Sequence, residues 1–466
     1  MRYVSTRGQA PVLGFEDTML TGLARDGGLY VPEDVPVLSQ GDIAALAGLS
    51  YEEVAVRIMS PFVADAFSEA DFADMVTRAY AGFGHDARAP LVQLGPNHHL
   101  LELFHGPTLA FKDFAMQLIG QMFEHSLQRR GQKVTIVGAT SGDTGSAAIE
   151  AFRGLDAVDV FILYPHGRVS DVQRRQMTTP SEANVHALAL AGHFDDCQAR
   201  VKDMFNDFPF RDRVGLAGVN SINFARVLAQ VVYYFTAATA LGAPRRPVSF
   251  TVPTGNFGDI FAGHIAKRMG LPIERLVVAT NNNDILHRFF EFSGEYRKHG
   301  ITPTTSPSMD IEVSSNFERA LFWAHGGDGA AITRLMAELD QEDGFRVSAN
   351  ALVELQRHYD SMAVDEPRVS AAITEAFHAL GETICPHTAV GFHVGKRHAR
   401  RNLGVPMVTL ATAHPAKFPD AVEAATGIRP PLPSRMADLF DRDERLTRVD
   451  NNLTDIETLI EEKRAA

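Results

Sequence analysis

From Val134 onward, short runs of β-branched and other apolar residues alternate with a glycine or polar turn and then a longer amphipathic segment. Six runs predict strands: Val134 to Val137, Val160 to Leu163, Val185 to Leu190, Val248 to Val252, Leu276 to Ala279 and Met407 to Leu410. Little polar alternation interrupts them, which suits parallel strands covered by helices on both faces. The predicted fold class is α/β.

Two regions break the rhythm. Up to about Pro90 the chain has an acidic, helix-rich stretch (Tyr51 to Gly82) and reads as a separate amino-terminal unit. From Ser293 to about Gly381 a turn-rich run, Thr302 to Pro307, leads into charged helical patterns and reads as a helical insertion. The charged segment from Asp441 to Ala466 predicts an exposed helix. Between Arg226 and Arg245 every residue is uncharged, but Gln230, Tyr233, Tyr234, Thr236 and Thr239 would need partners in hydrocarbon, so a buried helix is expected and a membrane span is not.

Length and composition bound the function. The 466 residues, 45% hydrophobic and 22% charged, suggest two to three packed units of a globular protein. With 44 Lys plus Arg against 57 Asp plus Glu, the net charge of -13 argues against a nucleic-acid partner. Cys197 and Cys385 stand far apart, so neither a disulfide framework nor a metal site is indicated and a reducing cytoplasm fits best. Glu16 and Asp17 interrupt what a secretory signal would keep apolar.

Four runs carry chemistry. The turn Gly138-Ala139-Thr140-Ser141-Gly142-Asp143-Thr144-Gly145 follows a strand and opens a helix expected at Ser146, which predicts an anion site on unpaired amides. It lacks both the dinucleotide and the Walker spacing, and a plain structural turn is the alternative. Pro253-Thr254-Gly255-Asn256-Phe257-Gly258-Asp259 is similarly placed before a helix expected over Ile260 to Met269, so consecutive amides can curl around a phosphate-sized group while Asp259 caps the helix. His105 to Phe114 embeds Lys112 among apolar residues; buried, its amine would lose proton affinity and become nucleophilic, whereas on the surface its stem would pack on Phe111. Leu410 to Phe418 ends a strand with Thr412, His414 and Lys417, a position where ligands gather, although a strand-end histidine needs no ligand.

Together with Asp26 to Pro32 and Asn220 to Asn223, these runs in this order resemble the threonine synthase family, in its longer-chain bacterial and fungal form. The resemblance implies a two-lobed, tryptophan-synthase-β-like fold holding pyridoxal 5'-phosphate. The implied organisation is an amino-terminal domain over 1–92, a smaller lobe over 93–220 and a larger lobe over 221–466, with the insertion at about 293–381. It implies that Lys112 binds the cofactor as an imine and then carries protons, that Gly255, Asn256, Phe257, Gly258 and Asp259 surround its phosphate, and that Thr412 meets its ring nitrogen. Thr140, Ser141, Gly142 and Thr144 would hold the substrate carboxylate, and Ser221, Asn223, Arg226 and Lys417 its phosphate, with Arg174 and Arg175 less favoured. Asp143 and Asp259 stand where many relatives of the wider fold group carry amides, so each would repel an anion unless it turns away or, at Asp143, shares a proton with the cofactor.

The implied reaction turns O-phosphohomoserine and water into threonine and phosphate by γ-elimination and β-addition, in a monomer or homo-oligomer. Rival readings are a threonine dehydratase or an O-acetylserine sulfhydrylase, which would share Lys112 and the cradle but need no second phosphate seat. Outside catalysis, a metabolite-binding protein on the same scaffold is the alternative.

Overall fold

The apolar runs sort into two sheets in the computed structural model, which describes residues 1–464. Val134–Ala139, Val158–Pro165 and Val185–Leu190 pair in parallel, edged by Leu216–Ala217 on one side and Thr447–Val449 on the other. All eight residues of Val158–Pro165 are buried, which is why this run shows no polar alternation. The second sheet runs Tyr359–Ala363, Ile273–Thr280, Val248–Pro253, Met407–Ala411, His98–Glu102, Leu91–Gln93; it is parallel except for the last pair.

Several elements depart from the sequence expectation. Tyr359–Ala363 adds an edge strand to the second sheet, so the segment 293–381 is not wholly a helical insertion; Phe317–Ala324, Gly329–Glu342, Ala349–Gln356 and Glu366–Glu375 are among its helices. His98–Glu102 lies in the second sheet and Thr447–Val449 in the first, so the two sheets are not separated by a single cut at residue 220. The helix Leu453–Arg464 is not simply exposed, because Ile456 and Ile460 are buried in the core beneath the first sheet. Both glycine-turn helices start earlier than expected, at Asp143 and Gly258.

The helix Phe224–Ala240, uncharged beyond Arg226, is buried along nearly its whole length, with Tyr233 and Tyr234 hydroxyls both donating to Asp259. Among the described residues no helix is long and apolar enough to cross a membrane. Tyr51–Val63 and Glu69–Tyr80, capped by Ser50 and Ser68, pack against it and against Lys112–Arg130. The Tyr80 hydroxyl donates to Phe114 O at 3.0 Å, so the amino-terminal unit braces the helix that begins with Lys112.

Candidate active site

Strand polarity decides where the chemistry meets. The turns after Ala139, Pro253 and Ala411 all leave the carboxyl ends of parallel strands, and the two sheets open these ends onto one cavity of about 690 Å³. Lys112, Thr140, Ser141, Asp143, Thr144, Ser221, Arg226, Thr412 and the run Gly255 to Asp259 line it.

Phe257 adopts φ +63°, an uncommon left-handed conformation for a residue with a side chain. It is held there by packing against Phe317 and Tyr359, with ring centroids 5.0 and 5.2 Å away. The helix Gly258–Arg268 starts immediately after it, and the amides of Gly255, Asn256, Phe257, Gly258 and Asp259 have no hydrogen-bond partner among the described residues. Five consecutive free donors at a helix start make a cradle for one phosphate-sized anion. A Cβ on Gly255 would lie 2.9 Å from Ser308 O, so the cradle closes against the 307–311 segment only because that position is glycine.

The Asp259 side chain turns away from its own amide. Its Oδ1 accepts from the Tyr233 hydroxyl at 2.5 Å and the Tyr234 hydroxyl at 3.0 Å, and its Oδ2 is buried without a partner among the described residues. Burial raises its pKa to about 6, against the opposing pull of both tyrosines. A carboxyl raised above its unfolded value costs the fold stability once both states are ionised, so the penalty is absent below about pH 4 and complete above about pH 6. Asp259→Asn is therefore expected to be more stable than wild type at pH 8, by at most about 3 kcal/mol, with the advantage vanishing between pH 6 and 4. Denaturant titrations across that range check this; a constant difference would contradict it.

Lys112 opens the helix Lys112–Arg130 and is buried, with Nζ 5.0 Å from the centroid of the Phe111 ring and 3.3 Å from Asp143 Oδ2. The lysine run and the histidine run are laced together. Phe111 N donates to Thr412 O at 2.8 Å, His414 N to Leu109 O at 3.0 Å, and Lys417 Nζ to Thr108 O at 2.7 Å. Leu109 sits at φ +65°, fully buried in that lacing, a local strain borne where the chain delivers Lys112 to the cavity. Burial lowers the Lys112 pKa; Asp143 opposes the shift, while Lys417 and Arg226 add to it.

Asp143 is the electrostatic hub. Its Oδ1 lies 3.0 Å from Lys417 Nζ and accepts from Gln173 Nε2 at 2.9 Å, while its Oδ2 faces Lys112. Burial would raise its pKa, yet Lys417 first and Lys112 second hold it well below the usual carboxylate range. Lys417 is completely buried and does not line the cavity, so the expectation that it grips the substrate phosphate is replaced by an ion pair. Asp143 thus stays an anion without repelling one, because two amines neutralise it.

The remaining candidates divide. Arg226 is buried at the cavity wall, donates to Val219 O at 3.4 Å and has no carboxylate within ion-pair distance among the described residues; burial lowers its pKa to about 10, so it remains a cation. Asn223 is corrected to a helix cap: its Oδ1 accepts from Ala225 N and its Nδ2 donates to Met19 O, off the cavity. Gly142 is also behind the wall, with φ +136° and the Gln173 side chain pressed against the space a Cβ would need. Thr140 Oγ1 accepts from the amides of Gly142 and Gly145, which leaves the amides of Ser141, Asp143 and Thr144 without partners among the described residues. Arg174 and Arg175 pair with Glu444 away from the cavity. Ser308 and His387 are among the lining residues that escaped the sequence reading. Ser308 Oγ lies 3.5 Å from Asp143 Oδ2, and its amide donates to His387 Nε2 at 3.2 Å; burial lowers the His387 pKa to about 3, so that ring is neutral.

Comparison with known proteins agrees along the whole chain. Residues 2–80 match the family described as threonine synthase N terminus, 86–413 pyridoxal-phosphate dependent enzyme, and 388–460 threonine synthase, C-terminal. A threonine synthase of Pseudomonas aeruginosa is 54% identical, over 99% of this chain and 98% of its own. The PLP-bound threonine synthase structure from Brucella melitensis superposes with a TM-score of 0.97 at 55% identity, covering 100% of both chains. The yeast threonine synthase structure gives 0.94 at 40%, covering 100% of this chain and 99% of its own. A buried amine between two sets of free amides is thus set in a chain whose two ends match threonine synthase models and whose full-length relatives carry that name, and this chain belongs to the threonine synthases.

Proposed function

We propose that this threonine synthase converts O-phospho-L-homoserine and water to L-threonine and phosphate with Lys112 as its proton carrier. In this reading the 255–259 amides seat the cofactor phosphate, the 141–144 turn seats the substrate carboxylate, and Arg226 with Ser221 seats the substrate phosphate. The observation that supports it is one buried amine on a cavity whose wall also carries two runs of amides without partners and the Arg226 guanidinium without a carboxylate, among the described residues.

The residues present fit pyridoxal 5'-phosphate: five free amides suit its phosphate, the buried Lys112 amine its aldehyde, and the Thr412 hydroxyl its ring nitrogen without imposing a proton there. When bound, that group supplies an electron sink that stabilises negative charge on the neighbouring carbon of the substrate. Lys112, its proton affinity lowered by burial, can take a proton from substrate carbon; Asp143 beside it limits that lowering, so the same Nζ can return the proton. The amides of Ser141, Asp143 and Thr144 at the start of their helix orient the substrate by its carboxylate. The Arg226 fork holds a phosphate through two parallel hydrogen bonds and stabilises the charge it gains on leaving.

A dehydratase or sulfhydrylase would have no use for an unpaired, buried guanidinium beside the amine, which favours the phosphorylated substrate. The small number and wide separation of cysteines, with the acidic net charge, support a cytoplasmic protein acting on a small molecule, as a monomer or homo-oligomer.

The test is phosphate release from O-phosphohomoserine with amino-acid analysis of the product; absence of threonine would overturn the reading. Arg226→Gln is expected to raise KM about 10- to 100-fold with a smaller change in kcat, and an unchanged KM would remove Arg226 from the phosphate seat.

A further inference from the structure

We infer that Arg319 and Asn316 are positioning residues that hold the phosphate cradle in its amide-presenting shape, an inference that rests on the reading of residues 255–259 as the cofactor phosphate seat. Arg319, on the helix Phe317–Ala324, is 0% exposed and has no carboxylate within ion-pair distance among the described residues. Its guanidinium ends on three acceptors from three parts of the chain. It donates to Tyr30 O of the amino-terminal unit at 3.0 Å, to Ile222 O at 2.6 Å, and to Asn316 Oδ1. A planar fork of five donors suits this task, whereas a buried cation without a counter-ion is a cost that an apolar side chain would avoid. What the cation supplies is geometry.

Asn316 passes that geometry to the cavity. Its amide donates to Asn256 O at 3.0 Å, and its Nδ2 donates to Ser221 O at 3.0 Å. In a trans peptide the N–H points opposite to the C=O, so fixing the Asn256 carbonyl on Asn316 aims the Phe257 amide the other way and keeps it free. Asn316 Nδ2 on Ser221 O and the Arg319 fork on Ile222 O together secure the turn that leads to Arg226. The cradle and the neighbouring cationic seat therefore share one support.

Arg319→Lys and Asn316→Ala in the full-length protein, each dialysed to equilibrium against pyridoxal 5'-phosphate and separately against pyridoxal, test this. Pyridoxal lacks the phosphate. Each variant is expected to bind pyridoxal 5'-phosphate about ten-fold or more weaker while its affinity for pyridoxal stays within about two-fold of wild type. Equal weakening toward both ligands, or none toward either, overturns the positioning role. A wild type that binds both ligands equally overturns the cradle reading instead. Should Arg319→Lys not fold, Asn316→Ala and the isosteric Asn316→Asp carry the same comparison, and selective or equal weakening decides it in the same way.

Discussion

Lys112→Ala is expected to lose at least about a thousand-fold in turnover, together with the visible absorbance that marks pyridoxal 5'-phosphate attached to an amine. The size follows from the lack of a substitute. The nearby amine of Lys417 is committed to Asp143 and Thr108 and has no surface on the cavity. His387 is held neutral, with a pKa of about 3, so it cannot carry a proton through the cycle near neutral pH as an imidazolium. Asp259 is turned onto two tyrosines. The fold should survive, because Asp143 keeps Lys417 as counter-ion and a desolvated amine has been removed. The check is kcat alongside a spectrum and an unfolding curve of the same preparation. Retention of a tenth of the wild-type rate in a well-folded variant would show that another group moves the proton.

What the sequence made legible was backbone more than side chains. The glycine turns stand out because free amides at a strand-helix junction require small or flexible residues at fixed offsets, and those offsets are local. Central strands such as Val158–Pro165 show as apolar runs because both faces are covered. His98–Glu102 hides because it carries two histidines and a glutamate, one of which, His98, meets Thr409 at 2.9 Å inside the sheet. Tyr359–Ala363 hides because an edge strand is only half-buried and reads like the helical segment around it. Side-chain orientation at Asp143 and Asp259 depends on Lys417 and on Tyr233 and Tyr234, which no local pattern ties to those positions. Ser308, His387, Asn316 and Arg319 were missed for the same reason: each reaches the site from a segment whose own composition reads as turn or helix.

Lys417→Met is expected to destabilise the protein by about 2–3 kcal/mol, less than the cost of a buried charge left with no partner, because Lys112 still faces Asp143 at 3.3 Å. Among the described residues the variant also leaves Thr108 O with only the Gln176 Nε2 donor at 3.0 Å, and Thr108 in turn binds the Asp113 carboxylate that follows Lys112. Asp143→Asn/Lys417→Met removes both charges, so its loss should fall short of the sum of the two single losses by about 1–3 kcal/mol, the signature of direct coupling. Acid gives an independent sign. Asp143 is depressed in the folded state, so its contribution is complete above its unfolded pKa of about 3.9 and is lost as pH falls below that value. Without Lys417 the carboxyl is less depressed, and the acid-side loss of stability must shrink relative to wild type. Urea titrations of the three variants between pH 7 and 3 measure both effects. A Lys417→Met variant within about 1 kcal/mol of wild type, or strict additivity in the double variant, would make Lys417 a free cation again and reopen the question of what neutralises Asp143 beside the reactive amine.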